Sequence, residues 1–94
     1  MYQVKIKNSA KSDLKKIKQA HLILNFQAII DRLKKDPYFP NQKMEKLVPP
    51  AAGKYSRRLN IHHRVVYSVE DQTKVVTILL GIIMIDEYEL VAKS

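Results

Sequence analysis

The hydrophobic period changes once along this chain, and that change limits the folds open to it. At the start, Tyr2, Val4 and Ile6 alternate with Gln3, Lys5 and Lys7, the pattern of a half-buried strand. Apolar residues then recur at helical spacing: Ala10, Leu14 and Ile17 form one stripe, and Leu22, Phe26, Ile29, Ile30 and Leu33 a second. Asn8 and Ser9 offer side-chain oxygens to cap the first helix. A break near Gln19 to His21 separates the two helices, and Asp36-Pro37 stops the second, because proline disfavours helical backbone in the residue before it. Past that point the helical period is gone. Four prolines and Gly53 punctuate residues 37–53, with only the short group 44–48 interrupting the loop character. Three strands follow, over residues 54–61, 64–69 and 74–83, separated by His62-His63 and by Glu70-Asp71-Gln72.

The predicted order is β-α-α-β-β-β. Two helices followed by a run of strands imply an α+β protein, with two N-terminal helices packed on one face of a mostly antiparallel four-stranded sheet. The pattern leaves room for a short C-terminal helix over residues 86–92. With 94 residues, 46% of them apolar, and no internal repeat, residues 1–94 are expected to form one domain around one core.

Several function classes drop out. The longest apolar run, residues 75–85, is interrupted by Thr77 and Gly81 and is too short to span a bilayer, and the N-terminus does not read as a signal sequence. The expectation is a cytoplasmic protein with no membrane association. Cysteine is absent, which removes disulfides and thiolate metal sites; three scattered histidines without a HExxH spacing offer no metal site and imply no cofactor. Net charge is +8, from 17 Lys and Arg against nine Asp and Glu, an excess that concentrates polyanions near the surface and makes nucleic acid the first partner class to test. An acidic protein partner fits the same charge.

The cations cluster. Lys54, Arg57, Arg58, His62, His63 and Arg64 fall within one eleven-residue stretch that contains no acid. Arginine suits phosphate because its planar fork binds two oxygens at once and keeps its charge. Alternation on a strand sets Arg58 with Asn60 and sets Arg57 with Leu59 and Ile61 on the other side. The plainer reading of each arginine is a surface ion pair with Glu70 or Asp71. RNA cleavage without a metal needs a base for the 2′-hydroxyl, a cation for the phosphate and an acid for the leaving 5′-oxygen. Glu45, between Lys43 and Lys46, is a candidate base, and a solvated loop carboxylate is its plainer reading. His62 and His63 are candidate acids or simply turn residues. Tyr55 and Tyr88 are candidates for base stacking or rim packing, while Tyr67 and Phe26 read as core.

The string SRRLNIHHRVVYSVEDQ resembles the Txe/YoeB pattern of the RelE/ParE toxin-antitoxin superfamily, in which a Ser-Arg-Arg strand leads through a His-Arg pair to a Val-Val-Tyr strand. Glu45 and Leu47 precede Gly53 as Glu and Leu precede Gly in that family, so the sharp part of the resemblance runs from Glu45 to Val69. The resemblance implies a RelE-like fold. It also implies a type II toxin, a ribosome-dependent mRNA endoribonuclease (mRNA interferase) that inhibits translation and is neutralised by a co-encoded antitoxin. Its partners would be that antitoxin, the ribosome and mRNA, with a homodimer also admitted. By resemblance Glu45 is the general base, Arg64 stabilises the phosphate in the transition state, and Arg58 is an auxiliary phosphate contact. His63 matches the family's turn histidine, in a structural role.

The C-terminus departs from the family pattern. No histidine follows His63, whereas the family ends its last strand with His-Tyr, the His serving as general acid. Counted without gaps from Arg64, that pair falls on Ile82 and Ile83; with an insertion it falls on Glu87-Tyr88, which makes Tyr88 the candidate to complete the site. Two other readings share the fold: a degenerate protein that binds antitoxin or ribosome without cutting, and a ParE-like gyrase inhibitor.

Overall fold

The computed structural model describes residues 1–47 and 53–84. Within them the elements are β1 (Gln3–Ile6), α1 (Asn8–Gln19), α2 (Ile23–Lys35), β2 (Glu45–Lys46), β3 (Lys54–Arg58), β4 (His63–Glu70) and β5 (Val75–Met84). The strands form one sheet in the order β1-β5-β4-β3-β2. β1 runs parallel to β5, from Gln3 opposite Val75 to Ile6 opposite Ile78, and every other pairing is antiparallel.

Both helices form where the apolar stripes require them. Ala10 and Ile17 of α1, with Phe26, Ile29 and Leu33 of α2, are buried against Val65, Tyr67, Val76 and Ile78 of the sheet. Fully burying a side chain of this size contributes about 1.5–3 kcal/mol, so this cluster is the main source of stability. His21 makes the break between the helices with a left-handed backbone, φ 59°. α2 ends at Lys35, and Asp36 is already extended ahead of Pro37.

Three expectations need correction. The sheet has five strands, because Glu45 and Lys46 pair with Ser56 and Tyr55 at its edge; a two-residue strand has no period to read. Neither Asn8 nor Ser9 caps α1. Lys7 occupies the cap position, its N–H bonded to Ile78 O and its carbonyl accepting from Ala10 N–H, so the chain passes from ladder to helix without a capping side chain. The β3–β4 turn covers residues 59–62 and so begins earlier than His62-His63. β3 ends at Arg58 and His63 already belongs to β4, because Asn60 Oδ1 accepts from the N–H groups of both His62 and His63 and closes the turn around itself. The terminal helix expected over residues 86–92 lies outside the described residues.

A buried polar contact joins α1 to β5. Asp13, buried on α1, accepts from the N–H of Gly81 in β5 at 3.0 Å and sits 3.9 Å from Lys16 on its exposed side.

Candidate functional site

Residues directly opposite in a sheet share a face. Glu45 is opposite Ser56, Ser56 opposite Val66, and Arg58 opposite Arg64. This group therefore lies on one face, while Tyr55 and Arg57, opposite Tyr67 and Val65, lie on the face that carries the helix-packed core. The two adjacent arginines thus serve different faces.

Arg64 is the centre of the open-face group. Its guanidinium is almost wholly buried: Nε donates to Ser56 Oγ at 3.0 Å, Nη2 donates to the Lys43 carbonyl at 2.5 Å, and Nη2 lies 3.7 Å from Glu45 Oε1. The Glu45 side chain, in contrast, is 55% exposed, so the pair joins a held cation to a carboxylate that water and ligands reach. Arg58 is half-buried, with Nη1 donating to Ile61 O at 3.4 Å and Nε without a hydrogen-bond partner among the described residues. A buried guanidinium N–H without an acceptor is costly, and an incoming anion would relieve it.

The turn beside Arg58 presents the histidines. His62 is exposed; His63 is half-buried, its Nδ1 3.1 Å from Asn60 Oδ1. Lys54, exposed at the start of β3, shares the face of Ser56 and Arg58 but lies about 13 Å from Arg58 along the strand. Tyr88 lies outside the described residues. Arg57 is fully buried, and its guanidinium is bonded to Tyr67, Pro37, Phe39, Asn41 and Gln42. Among the described residues no three His, Asp or Glu side chains gather as a metal site would require.

Several contributors were not visible in the sequence. Ser56 and the Lys43 carbonyl both hold Arg64. The alternation Ser56–Arg58 was a signal for the first; nothing in the sequence marks a backbone carbonyl. A tyrosine cluster also braces the loop after α2. Tyr2 and Tyr38 both donate to Asp71 Oδ1, at 2.9 and 2.8 Å, and Tyr38 packs edge-on against Tyr55, which stacks on Tyr67. The hydroxyl of Tyr38, then that of Tyr2, holds the Asp71 carboxyl below its ordinary value. Burial, and then the bond to Asp71, push the Tyr38 hydroxyl well up. Burial pushes the Tyr67 hydroxyl up as well, against the Arg57 charge that pulls it down.

Two helices on one face of a mixed sheet, with a carboxylate–arginine pair on the other, define a protein of the RelE/YoeB-like fold. Residues 7–80 match the family model of the YoeB-like toxin of bacterial type II toxin-antitoxin systems, and the chain belongs to that family. Solved structures agree. The chain is similar to the toxin–antitoxin heterotetramer YoeB-YefM of Staphylococcus aureus, at 25% identity over 85% of this chain and 93% of that one, TM-score 0.71. It is similar to the YoeB dimer of the same organism, at 26% identity over 84% and 92%, TM-score 0.71. The archaeal RelE-RelB complex of Pyrococcus horikoshii OT3 gives 29% identity over 84% and 90%, TM-score 0.69. The comparison with curated protein sequences gives no match. Among the described residues no helix is long and apolar enough to cross a membrane.

Proposed function

We propose that this toxin is a cytoplasmic, metal-independent endoribonuclease that cuts messenger RNA on the ribosome and is held inactive by a co-encoded antitoxin. One observation carries the reading: an exposed carboxylate, Glu45, lies 3.7 Å from the fixed guanidinium of Arg64, on a sheet face that also bears Arg58. Glu45 accepts the proton of the 2′-hydroxyl, whose oxygen attacks the adjacent phosphorus; the bond to the 5′-oxygen breaks, leaving a 2′,3′-cyclic phosphate and a 5′-hydroxyl. Arg64 and Arg58 take the charge that builds on the phosphate oxygens, the interaction that typically supplies the largest share of such catalysis. Tyr88, or a histidine of the turn, returns a proton to the leaving oxygen. Lys54, His62 and His63 extend the cationic surface along the RNA, and Arg57 supports the site from behind.

The partners follow the same reasoning. A surface with an excess of eight positive charges suits an acidic antitoxin segment as well as RNA, and a second copy of the chain is a further partner, by analogy with the dimer of the Staphylococcus aureus protein. Expression of Glu45→Ala and of Arg64→Ala tests the assignment: both are expected to restore growth to cells that the unaltered toxin arrests. Growth arrest that survives both substitutions would place the site elsewhere.

A second reading has its own observation. The β4–β5 register sets Ile83 opposite Arg64, and isoleucine transfers no proton. A toxin that captures its antitoxin or the ribosome without cutting would fit this. Primer extension on messenger RNA separates the two, since only the nuclease leaves discrete codon-phased ends.

A further inference from the structure

Arg57 holds a cation in the interior, and among the described residues no carboxylate answers it. The side chain is 0% exposed. Nε donates to Tyr67 Oη at 3.0 Å. Nη1 donates to Asn41 Oδ1 at 2.7 Å, with the Asn41 carbonyl at 3.1 Å and Gln42 Oε1 at 3.3 Å. Nη2 donates to the carbonyls of Pro37 and Phe39, both at 2.8 Å. Among the described residues, every acceptor around the fork is a neutral oxygen. Burying a charge this way is expensive compared with an apolar side chain of similar volume, so packing alone does not account for an arginine here.

All but one of these acceptors belong to residues 37–42, in the segment between α2 and β2. Two consecutive residues at its end, Gln42 with φ 55° and Lys43 with φ 49°, hold left-handed backbone. Residues other than glycine keep that conformation only where their surroundings fix it. The same segment is also held at the edge of β3 and from the other face of the sheet. Gln42 O accepts from the backbone N–H of Arg58 at 2.7 Å, and Lys43 O accepts from Arg64 Nη2 on the open face. Residues 41–43 therefore carry Arg57 on the core side and Arg64 on the open side, two positions before Glu45 begins β2.

We propose that Arg57 is a positioning residue that fixes Asn41–Lys43 from the core face and thereby aims the Arg64 guanidinium at the phosphate. The inference rests on the reading of Glu45 and Arg64 as the nuclease site. Its physical content is a chain of three contacts: Arg57 to Asn41 and Gln42, the left-handed pair Gln42-Lys43, and the Lys43 carbonyl to Arg64. If the first contact loosens, the carbonyl that orients Arg64 shifts. A displacement on the order of 1 Å in a group that must meet a transition state costs up to about a hundredfold in rate.

The test uses the full chain and two variants. Arg57→Lys keeps the charge and loses the fork. Asn41→Ala removes one acceptor, leaves Arg57 in place, and carries the test if Arg57→Lys does not fold. The first readout is solvent exchange at the Arg64 Nε–H, followed by 15N NMR and assigned by comparison with Arg64→Lys. The second is the single-turnover cleavage rate on programmed ribosomes, separated from half-saturation. In variants whose β4 and β5 amides keep their dispersion, Arg64 exchange is expected to accelerate at least about tenfold. The cleavage rate should fall by about ten- to a hundredfold at unchanged half-saturation. Unchanged Arg64 exchange in a folded variant, or a loss seen only as weaker ribosome binding, overturns the proposal. If the unaltered protein does not cut at all, the nuclease reading fails, and the exchange measurement still decides whether Arg57 positions Arg64.

Discussion

Asp13 and Gly81, far apart in sequence, meet where α1 crosses β5: the carboxylate accepts the glycine N–H at 3.0 Å inside the helix–sheet interface. β1 pairs with β5 only as far as Ile78, so Asp13 serves a backbone donor that the neighbouring strand does not reach. Asp13→Ala is expected to cost about 1–3 kcal/mol, because it strands a buried N–H. Gly81→Ala should cost a similar amount for a different reason, since a Cβ there would sit 3.0 Å from Asp13 Cβ. Urea unfolding of both variants checks this, and because the residues touch, their effects should not add.

Asp71 ties the N-terminal strand to the loop after α2 through the hydroxyls of Tyr2 and Tyr38. Its folded-state carboxyl is held below the ordinary 3.8, chiefly by the Tyr38 hydrogen bond and then by Tyr2. A depressed carboxyl contributes stability that is fully present above the unfolded-state value and lost as pH falls through the folded-state value. The stability difference between the unaltered protein and Asp71→Ala should therefore be constant from pH 5 to 7 and shrink below about pH 4. A difference that grows on acidification would contradict the assignment.

Ser56→Ala removes the acceptor of Arg64 Nε without touching the charge. The expected result is a stability loss of about 1 kcal/mol, because the guanidinium N–H loses its partner. A drop of about tenfold in RNA cleavage should accompany it, measured against antitoxin binding as a control for folding. Equal cleavage by Ser56→Ala and the unaltered protein would show that Arg64 needs no such support.

Lys54 and Arg58 both lie on the open face but are expected to act differently. Lys54→Ala should weaken RNA binding uniformly across sequences and lower the slope of log affinity against log salt by about one contact's worth. Arg58→Ala should also reduce the cleavage rate at saturation, because Arg58 lies opposite Arg64. Salt titrations with a single-stranded RNA, paired with saturating turnover measurements, tell the two apart.

The helices were legible because burial leaves a spacing: Ala10 and Ile17, and Phe26, Ile29 and Leu33, are buried as their stripes require. Strand β2 was not, since two residues at an edge carry no alternation and their partners are set by the loop before them. The candidate site was half legible. Arg58, Arg64 and Glu45 stood out as charges and do lie together on one face. Arg57 falls among the same charges, which read as solvent-exposed, yet its side chain is fully buried. Its alternation with Leu59, which is buried in the core, pointed inward and was the better guide. The Lys43 carbonyl had no signature at all, because every residue carries one.

The parallel pairing of β1 with β5 has a consequence for the order of events during synthesis. β1 is made before both helices, yet the backbone groups it pairs with belong to β5, made after the other described strands. Contacts so distant along the chain form slowly, while the helical hairpin can assemble from local contacts alone. The five-stranded sheet thus completes only when β5 takes its place between β1 and β4.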